Sequence, residues 1–229
     1  MFVALIVLAV PVWAAIGSAA ILMLVMSGDL PLSLVGEKLF TGIDAFALTA
    51  VPLFILTGDV LVRTGLSRKF LDVAEALTCF AKGGFGSATV LVCGMFAAIS
   101  GSDAAGAAAV GRMSIARLVE SGYPRPYACA LVAAGACTGI LIPPSIAYII
   151  IGLVLGISAS TLFLAALIPG LCILFSILIT NLIMNRIYAY EGGGMMTSGE
   201  WFSNLGRALK SGWYAFIVPG IIFYGIFSG

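Results

Sequence analysis

Ser100-Gly101-Ser102-Asp103 is a polar knot between two uncharged limbs: Phe85 to Ile99 on one side, and the Ala/Gly-rich Ala104 to Val110 on the other, with no charge before Arg112. A limb of roughly 16 residues reaches only ~24 Å as a helix, at 1.5 Å per residue. Crossing the hydrocarbon takes ~30 Å and about 20 residues. Two short limbs meeting at a Ser/Gly turn therefore predict a re-entrant hairpin with its tip deep in the membrane. Broken backbone at that depth persists only where protein or a water-filled cavity satisfies it. An ion or substrate site meets that condition.

The composition agrees. Of 229 residues, 62% are hydrophobic and 9% charged, and the mean hydropathy is +1.18. A soluble domain is nearer half apolar and a quarter charged. The chain reads as an all-α polytopic membrane protein with the lipid bilayer as its surroundings. A net charge of +1 points to no nucleic-acid partner. The absence of histidine removes Ser-His dyads and His-ligated zinc or haem, and no cofactor is expected. Cys79, Cys93, Cys129, Cys137 and Cys172 show no CxxC spacing and read as small buried hydrophobes. The apolar stretch from Phe2 to Met26 lacks a basic leading region and reads as a retained helix, kinked near Pro11, rather than a cleaved signal.

Working outward from the knot, Ser67 to Phe80 carries Phe70, Ala74, Leu77 and Ala81 at helical spacing, opposed by Arg68, Lys69, Asp72 and Glu75. This predicts an amphipathic helix lying along the membrane surface, turned into the hairpin by Lys82-Gly83-Gly84. Upstream, a polar link containing Asp29, Glu37 and Lys38 precedes a helix over Ala45 to Val62, with Asp44 as its N-cap. Downstream, the apolar run from Tyr127 is interrupted by Gly139-Ile140-Leu141-Ile142-Pro143-Pro144-Ser145 and resumes over Ile146 to Leu155. Two adjacent prolines remove two donors and clash with the preceding turn, so the helix breaks there, at a depth similar to the tip. Thr161 to Met184 reads as a spanning helix, Trp201 to Lys210 as a second amphipathic segment, and Trp213 to Phe227 as a last apolar run. With the N-terminus in the cytoplasm, ten of the basic residues, Arg63, Arg68, Lys69, Lys82, Arg112, Arg117, Arg125, Arg186, Arg207 and Lys210, fall at the cytoplasmic side and only Lys38 outside.

The two breaks carry the chemistry. At the tip, one limb ends in free carbonyls and the next begins with free N–H groups. Ser100 and Ser102 add hydroxyl oxygens, and Gly101 lets the backbone approach a ligand. Carbonyl and hydroxyl oxygens suit a hard cation such as Na⁺, and N–H groups suit a carboxylate. A lone carboxylate such as Asp103 costs ~2.5–3.5 kcal/mol at the bilayer centre on insertion scales, so it should be capped, hydrated or paired. The second break frees carbonyls around Pro143-Pro144. Facing each other, the two breaks would cage a dehydrated cation. Taken alone, each also reads as plain helix capping or a proline kink. The Gly/Ala run Ala104 to Gly111 reads as close helix packing.

Val51-Pro52-Leu53-Phe54-Ile55-Leu56 with Gly58, the arm segment after Gly65-Leu66, the Ile99-Ser100-Gly101-Ser102 tip, Gly122-Tyr123 and Gly139-Ile140-Leu141-Ile142-Pro143-Pro144-Ser145 resemble the N-terminal half of the large membrane (M) subunit of a tripartite ATP-independent periplasmic (TRAP) transporter. The resemblance covers essentially the whole chain. It implies a sodium-driven secondary transporter in the bacterial inner membrane, working as an elevator, with organic acids such as C4-dicarboxylates or sialic acid as substrates. It implies two partners, a small membrane (Q) subunit and a periplasmic substrate-binding protein. In these terms residues 1–63 would be scaffold helices and 64–83 an arm. Residues 84–157 would be part of the transport domain, and 158–229 further spanning helices with a cytoplasmic connector at 186–211. Ser100, Gly101, Ser102, Asp103, Gly139, Ile140, Pro143, Pro144 and Ser145 would line the ion and substrate site, with Ser100, Ser102, Gly139 and Pro143 as Na⁺ ligands.

Family members have two inverted repeats, and this chain shows one. The expectation is therefore a truncated or split permease completed by a C-terminal half. The alternative is a non-transporting fragment or scaffold that needs a complementary chain. An intramembrane aspartyl protease built on Asp59 and Asp103 would need both carboxylates at one depth. Asp59, one turn from Arg63, sits near the cytoplasmic end while Asp103 is deep, so no enzymatic activity is expected.

Overall fold

The structure, a computed structural model, describes residues 2–28, 31, 33–79, 83–191 and 198–228. Asp29, Ala81, Lys82 and the Gly192-Gly193-Gly194 stretch lie outside the described residues. The described chain is helical throughout. Four of its helical stretches are long and apolar enough to cross a membrane: Phe46–Arg63, Arg125–Leu155, Ala159–Tyr188 and Trp201–Ile226.

Residues 1–48 form one compact unit and 49–229 another. In the first, α1 (Phe2–Val7) and α2 (Val12–Ser27) are separate helices. The expected single helix kinked at Pro11 is instead broken there: Pro11 is extended (φ −51°, ψ 136°), Ala9 is left-handed (φ 59°), and a proline has no N–H to continue the ladder. The expected polar link is partly helical, as α3 (Ser33–Ile43). Val35, Leu39 and Ile43 fall four residues apart, one helical face, and that period was masked by Glu37 and Lys38 between them.

The second unit opens with α4, which begins in the first unit and spans Phe46–Arg63, one residue from its expected limits. Gly65, left-handed at φ 74°, turns the chain into α5 (Leu66–Thr78). The buried face of α5 is Phe70, Leu71, Val73 and Ala74, whereas Leu77 is 38% exposed, so the apolar stripe is displaced from the expected one. α5 packs along α6 (Gly84–Ser100), which is followed by α7 (Asp103–Glu120) and α8 (Arg125–Ala136). α7 turns Gly106, Ala109, Val110 and Gly111 inward and leaves Ala104, Ala105 and Ala108 uncovered. The small residues thus bring α7 against its neighbours on one face only. A short α9 (Thr138–Leu141) and the long α11 (Ala159–Tyr188) complete the packing around α6, and α10 (Ile146–Leu155) packs on α11 and α9. α12 (Ser198–Gly212) packs on α5 and continues through a 3₁₀ turn, Trp213–Phe216, into α13 (Ile217–Ser228).

A strap closes the base of the α6–α7 pair. Both carboxylate oxygens of Glu191 accept the Phe85 N–H at 3.1 Å, and the Tyr123 hydroxyl donates to the same carboxylate at 3.1 Å. Asn185 accepts the Glu191 N–H at 2.9 Å. Asn181 reaches the Gly83 carbonyl at 3.3 Å and Ser87 at 3.1 Å. The end of α11 is thereby tied to the start of α6 and the α7–α8 turn.

Only Cys93 among the cysteines is buried; Cys79 is half-buried, and Cys129, Cys137 and Cys172 are exposed. The expectation of buried cysteines fails for these three because an apolar residue in a membrane chain can face lipid as readily as protein.

Candidate functional site

α6 ends at Ser100 because Gly101 takes a left-handed conformation (φ 61°) and Ser102 is extended (φ −139°, ψ 125°). Ser102 then caps α7, its hydroxyl accepting the Ala105 N–H at 3.4 Å. The Ser100 hydroxyl donates to the Ser102 carbonyl at 3.3 Å. Asp103 stands in the first turn of α7 and accepts the Ala104 N–H at 2.8 Å, where a negative charge is favoured. Asp59 bonds Arg63 at 2.7 Å. Each of these two carboxylates is engaged on its own helix.

The second break starts earlier than the prolines alone require. α8 stops at Ala136, α9 adds one turn, and residues 142–145 are non-helical around a cis Pro143–Pro144 bond. Ser145 is extended and stands at the start of α10 (φ −123°, ψ 125°).

The two breaks touch. The Ile146 N–H donates to the Gly101 carbonyl at 3.3 Å. A Cβ on Gly101 would lie 2.7 Å from the Pro144 carbonyl oxygen, and one on Gly139 would lie 2.8 Å from the Asp103 nitrogen. Neither position accepts a side chain without moving backbone. Ser100, Gly101, Gly139, Pro143, Pro144 and Ser145 are all buried, and Ser102 and Asp103 are half-buried. Ile140 differs: its side chain is 37% exposed and lies outside this buried junction.

The junction gathers the carbonyl-rich ends of α6 and α9 and the N–H-rich ends of α7 and α10. The Ser145 hydroxyl is fully buried with no hydrogen-bond partner, an acceptor left free within a packed wall. Such a group costs ~1–3 kcal/mol unless something satisfies it. Thr138, also fully buried, spends its hydroxyl on the Gly135 carbonyl at 2.7 Å. A cavity of about 430 Å³ adjoins the tip, with Ser100, Ser102 and Ile146 in its wall and α4 opposite. Gly58 of α4 comes close enough that a Cβ there would be 3.2 Å from that of Ser100.

Sequence reading missed the contribution of α4 to this cavity and the Glu191 strap. The only local signal for the strap was a lone acid directly after a long apolar helix.

Residues 1–229 match the model of the tripartite ATP-independent periplasmic transporter, DctM component. The chain is 34% identical over its whole length to the isethionate TRAP transporter permease protein DctMQ of Oleidesulfovibrio alaskensis, covering 35% of that protein. It is 34% identical to the C4-dicarboxylate TRAP transporter large permease protein DctM of Pseudomonas aeruginosa, over 93% of this chain and 48% of the relative. It is 30% identical to the sialic acid TRAP transporter large permease protein SiaM of Vibrio cholerae, over 92% of this chain and 48% of the relative. The chain thus spans between about a third and a half of the length of these relatives.

Proposed function

Because the chain belongs to the family of the tripartite ATP-independent periplasmic transporter DctM component, we propose that it supplies the N-terminal half of a large permease for Na⁺-driven uptake of small organic acids. The observation that carries the reading is the buried contact between the Gly101 turn and the Gly139–Ser145 break, with the Ser145 hydroxyl left free beside it. The hydroxyls of Ser100 and Ser102 and the carbonyls of Gly139 and Pro143 are the ligand types a hard cation takes. Asp103 contributes negative charge nearby. The N–H ends of α7 and α10 suit a substrate carboxylate.

In this reading α6 and α7 form a re-entrant hairpin. Their lengths of 17 and 18 residues fall short of the usual ~20 for a crossing. The hairpin and the broken helix move together, as an elevator, against α4 and the amphipathic helices. The N-terminus lies in the cytoplasm of a bacterial cell, and the membrane is the inner one. A C-terminal half supplies the second wall of the site. A small membrane subunit and a periplasmic binding protein complete the system. Carboxylates are the substrate class because relatives are named for C4-dicarboxylate and sialic acid transport.

The test is uptake of labelled succinate and sialic acid into proteoliposomes under an imposed Na⁺ gradient, with and without the complementary half and a binding protein. Uptake should require Na⁺ and the complementary half. Equal uptake with K⁺ in place of Na⁺ would overturn the coupling. In the complete system Ser102→Ala should raise the half-saturating Na⁺ concentration ~3–10-fold, since tenfold corresponds to about 1.4 kcal/mol. An unchanged Na⁺ dependence would remove Ser102 from the ligand set.

A further inference from the structure

Two cavities lie side by side along α7, the inner one between α4 and the α6–α7 pair and the outer one between α7 and the start of α5. The inner one, about 430 Å³, reaches the tip at Ser100 and Ser102. The outer one, about 520 Å³, is bounded by Gly65, Arg68 and Leu71 on one side and Met113 and Arg117 on the other. Val62, Ala109 and Arg112 belong to both walls, so Arg112 stands at the junction of the two chambers. From the α7 side the residues facing this space are the cap Ser102 and then Ala105, Ala108, Ala109 and Arg112, spaced three and four apart along one helical face. Arg112 is ten residues beyond Ser102, ~15 Å along the helix.

The charge in the outer wall is one-sided. The outer chamber carries three arginines and no acid. Arg117 is committed to Glu75 at 2.7 Å and to the Phe85 ring at 4.5 Å. Arg68 and Arg112 have no ion pair among the described residues. The inner chamber holds Asp59, but Arg63 already neutralises it at 2.7 Å. Besides Ser100, Ser102 and Arg112, the remaining wall is Ala, Gly, Val, Ile and Phe. Like-signed charge between low-dielectric walls focuses the field and concentrates counter-ions. A guanidinium offers the forked donors that a carboxylate accepts. The volume of the inner chamber falls in the ~300–1,000 Å³ range of small-molecule sites.

We propose that the gap between α4 and α7 is an anion vestibule in which Arg112, with Arg68, holds a small organic carboxylate between the tip and the mouth of the hairpin. This rests on the transport reading above and adds to it a station remote from the tip. A lipid phosphate offers the same oxyanion chemistry, and the test separates the two.

In a variant with all five cysteines replaced, Ala108→Cys puts one thiol in the inner wall, on the exposed side of α7. The protein is reconstituted in phosphatidylcholine nanodiscs. The modification rates of a sulfonate-bearing and a trimethylammonium-bearing methanethiosulfonate are then compared with their rates on a free thiol. The ratio should favour the anionic reagent roughly sevenfold, the effect of a potential of about one kT per charge on reagents of opposite sign. Arg112→Gln should return the ratio toward the free-thiol value, whereas Arg125→Gln, remote from both chambers, should leave it unchanged. Millimolar succinate should slow the anionic reagent. A free-thiol ratio insensitive to Arg112→Gln would overturn the proposal. So would protection by added phosphatidylglycerol rather than succinate, which marks a lipid site. The ratio needs no Na⁺ and no second half, so it stands or fails separately from the uptake assay.

Discussion

Gly139 and Gly101 are the residues on which the site depends. A Cβ on Gly139 would sit 2.8 Å from the Asp103 nitrogen and 2.9 Å from its Cα. Both neighbours are backbone, so they cannot swing aside as a flexible side chain would. Gly139→Ala is expected to cost ~1–3 kcal/mol through displaced backbone and to lower the thermal unfolding midpoint in detergent. In the complete transporter it should also weaken Na⁺ dependence, because the two breaks move apart. A variant with unaltered midpoint and Na⁺ dependence would show that the contact is dispensable. Sequence pointed to Gly101 as a place of close backbone approach and to Gly139 only as the start of the second break. It did not reveal which atoms approach them.

At the scale of elements, the strap from α11 to α6 is the main unexpected feature. Glu191 supplies a negative charge at the N-terminus of α6, where the helix dipole favours it, and accepts from the Phe85 N–H and the Tyr123 hydroxyl. Glu191→Gln weakens charge-assisted bonds and should destabilise the fold by ~1–3 kcal/mol, measured by chemical denaturation in micelles. The strap also predicts an alkaline limit. Tyr123 lies in the α7–α8 turn, and burial, then the Glu191 carboxylate, push its phenol above the ordinary value of 10.0. The folded state therefore holds this proton where the unfolded state releases it, so stability is intact below pH 10 and falls as pH rises beyond it. Tyr123→Phe should flatten that fall. An identical alkaline slope in the variant would exclude Tyr123 as its source. The strap could not be read in the sequence because Phe85 and Glu191 are 106 residues apart and neither is part of a local pattern.

At the scale of the molecule, the depth of the tip decides between a hairpin that returns and one that crosses. Ala104→Cys, next to the tip and exposed in this chain, should resist a bulky impermeant maleimide applied from outside. Arg207→Cys, on the exposed side of α12, should react from the cytoplasmic side alone. Rapid outside labelling of Ala104→Cys would mean that α6 and α7 each cross. The membrane class, the helical content, the Gly101 turn and the existence of a second break at the prolines were determined by the sequence alone. They follow from hydropathy, from proline's missing N–H and from glycine's access to positive φ, all of which are local. Only the tertiary structure decided that the two breaks meet, that α7 covers one face of its small residues, that Glu191 caps a distant helix, and that three cysteines stay uncovered. In lipid an apolar side chain is equally satisfied against a tail or a neighbouring helix, so hydrophobicity marks a segment as membrane-borne without saying which of its faces meets protein.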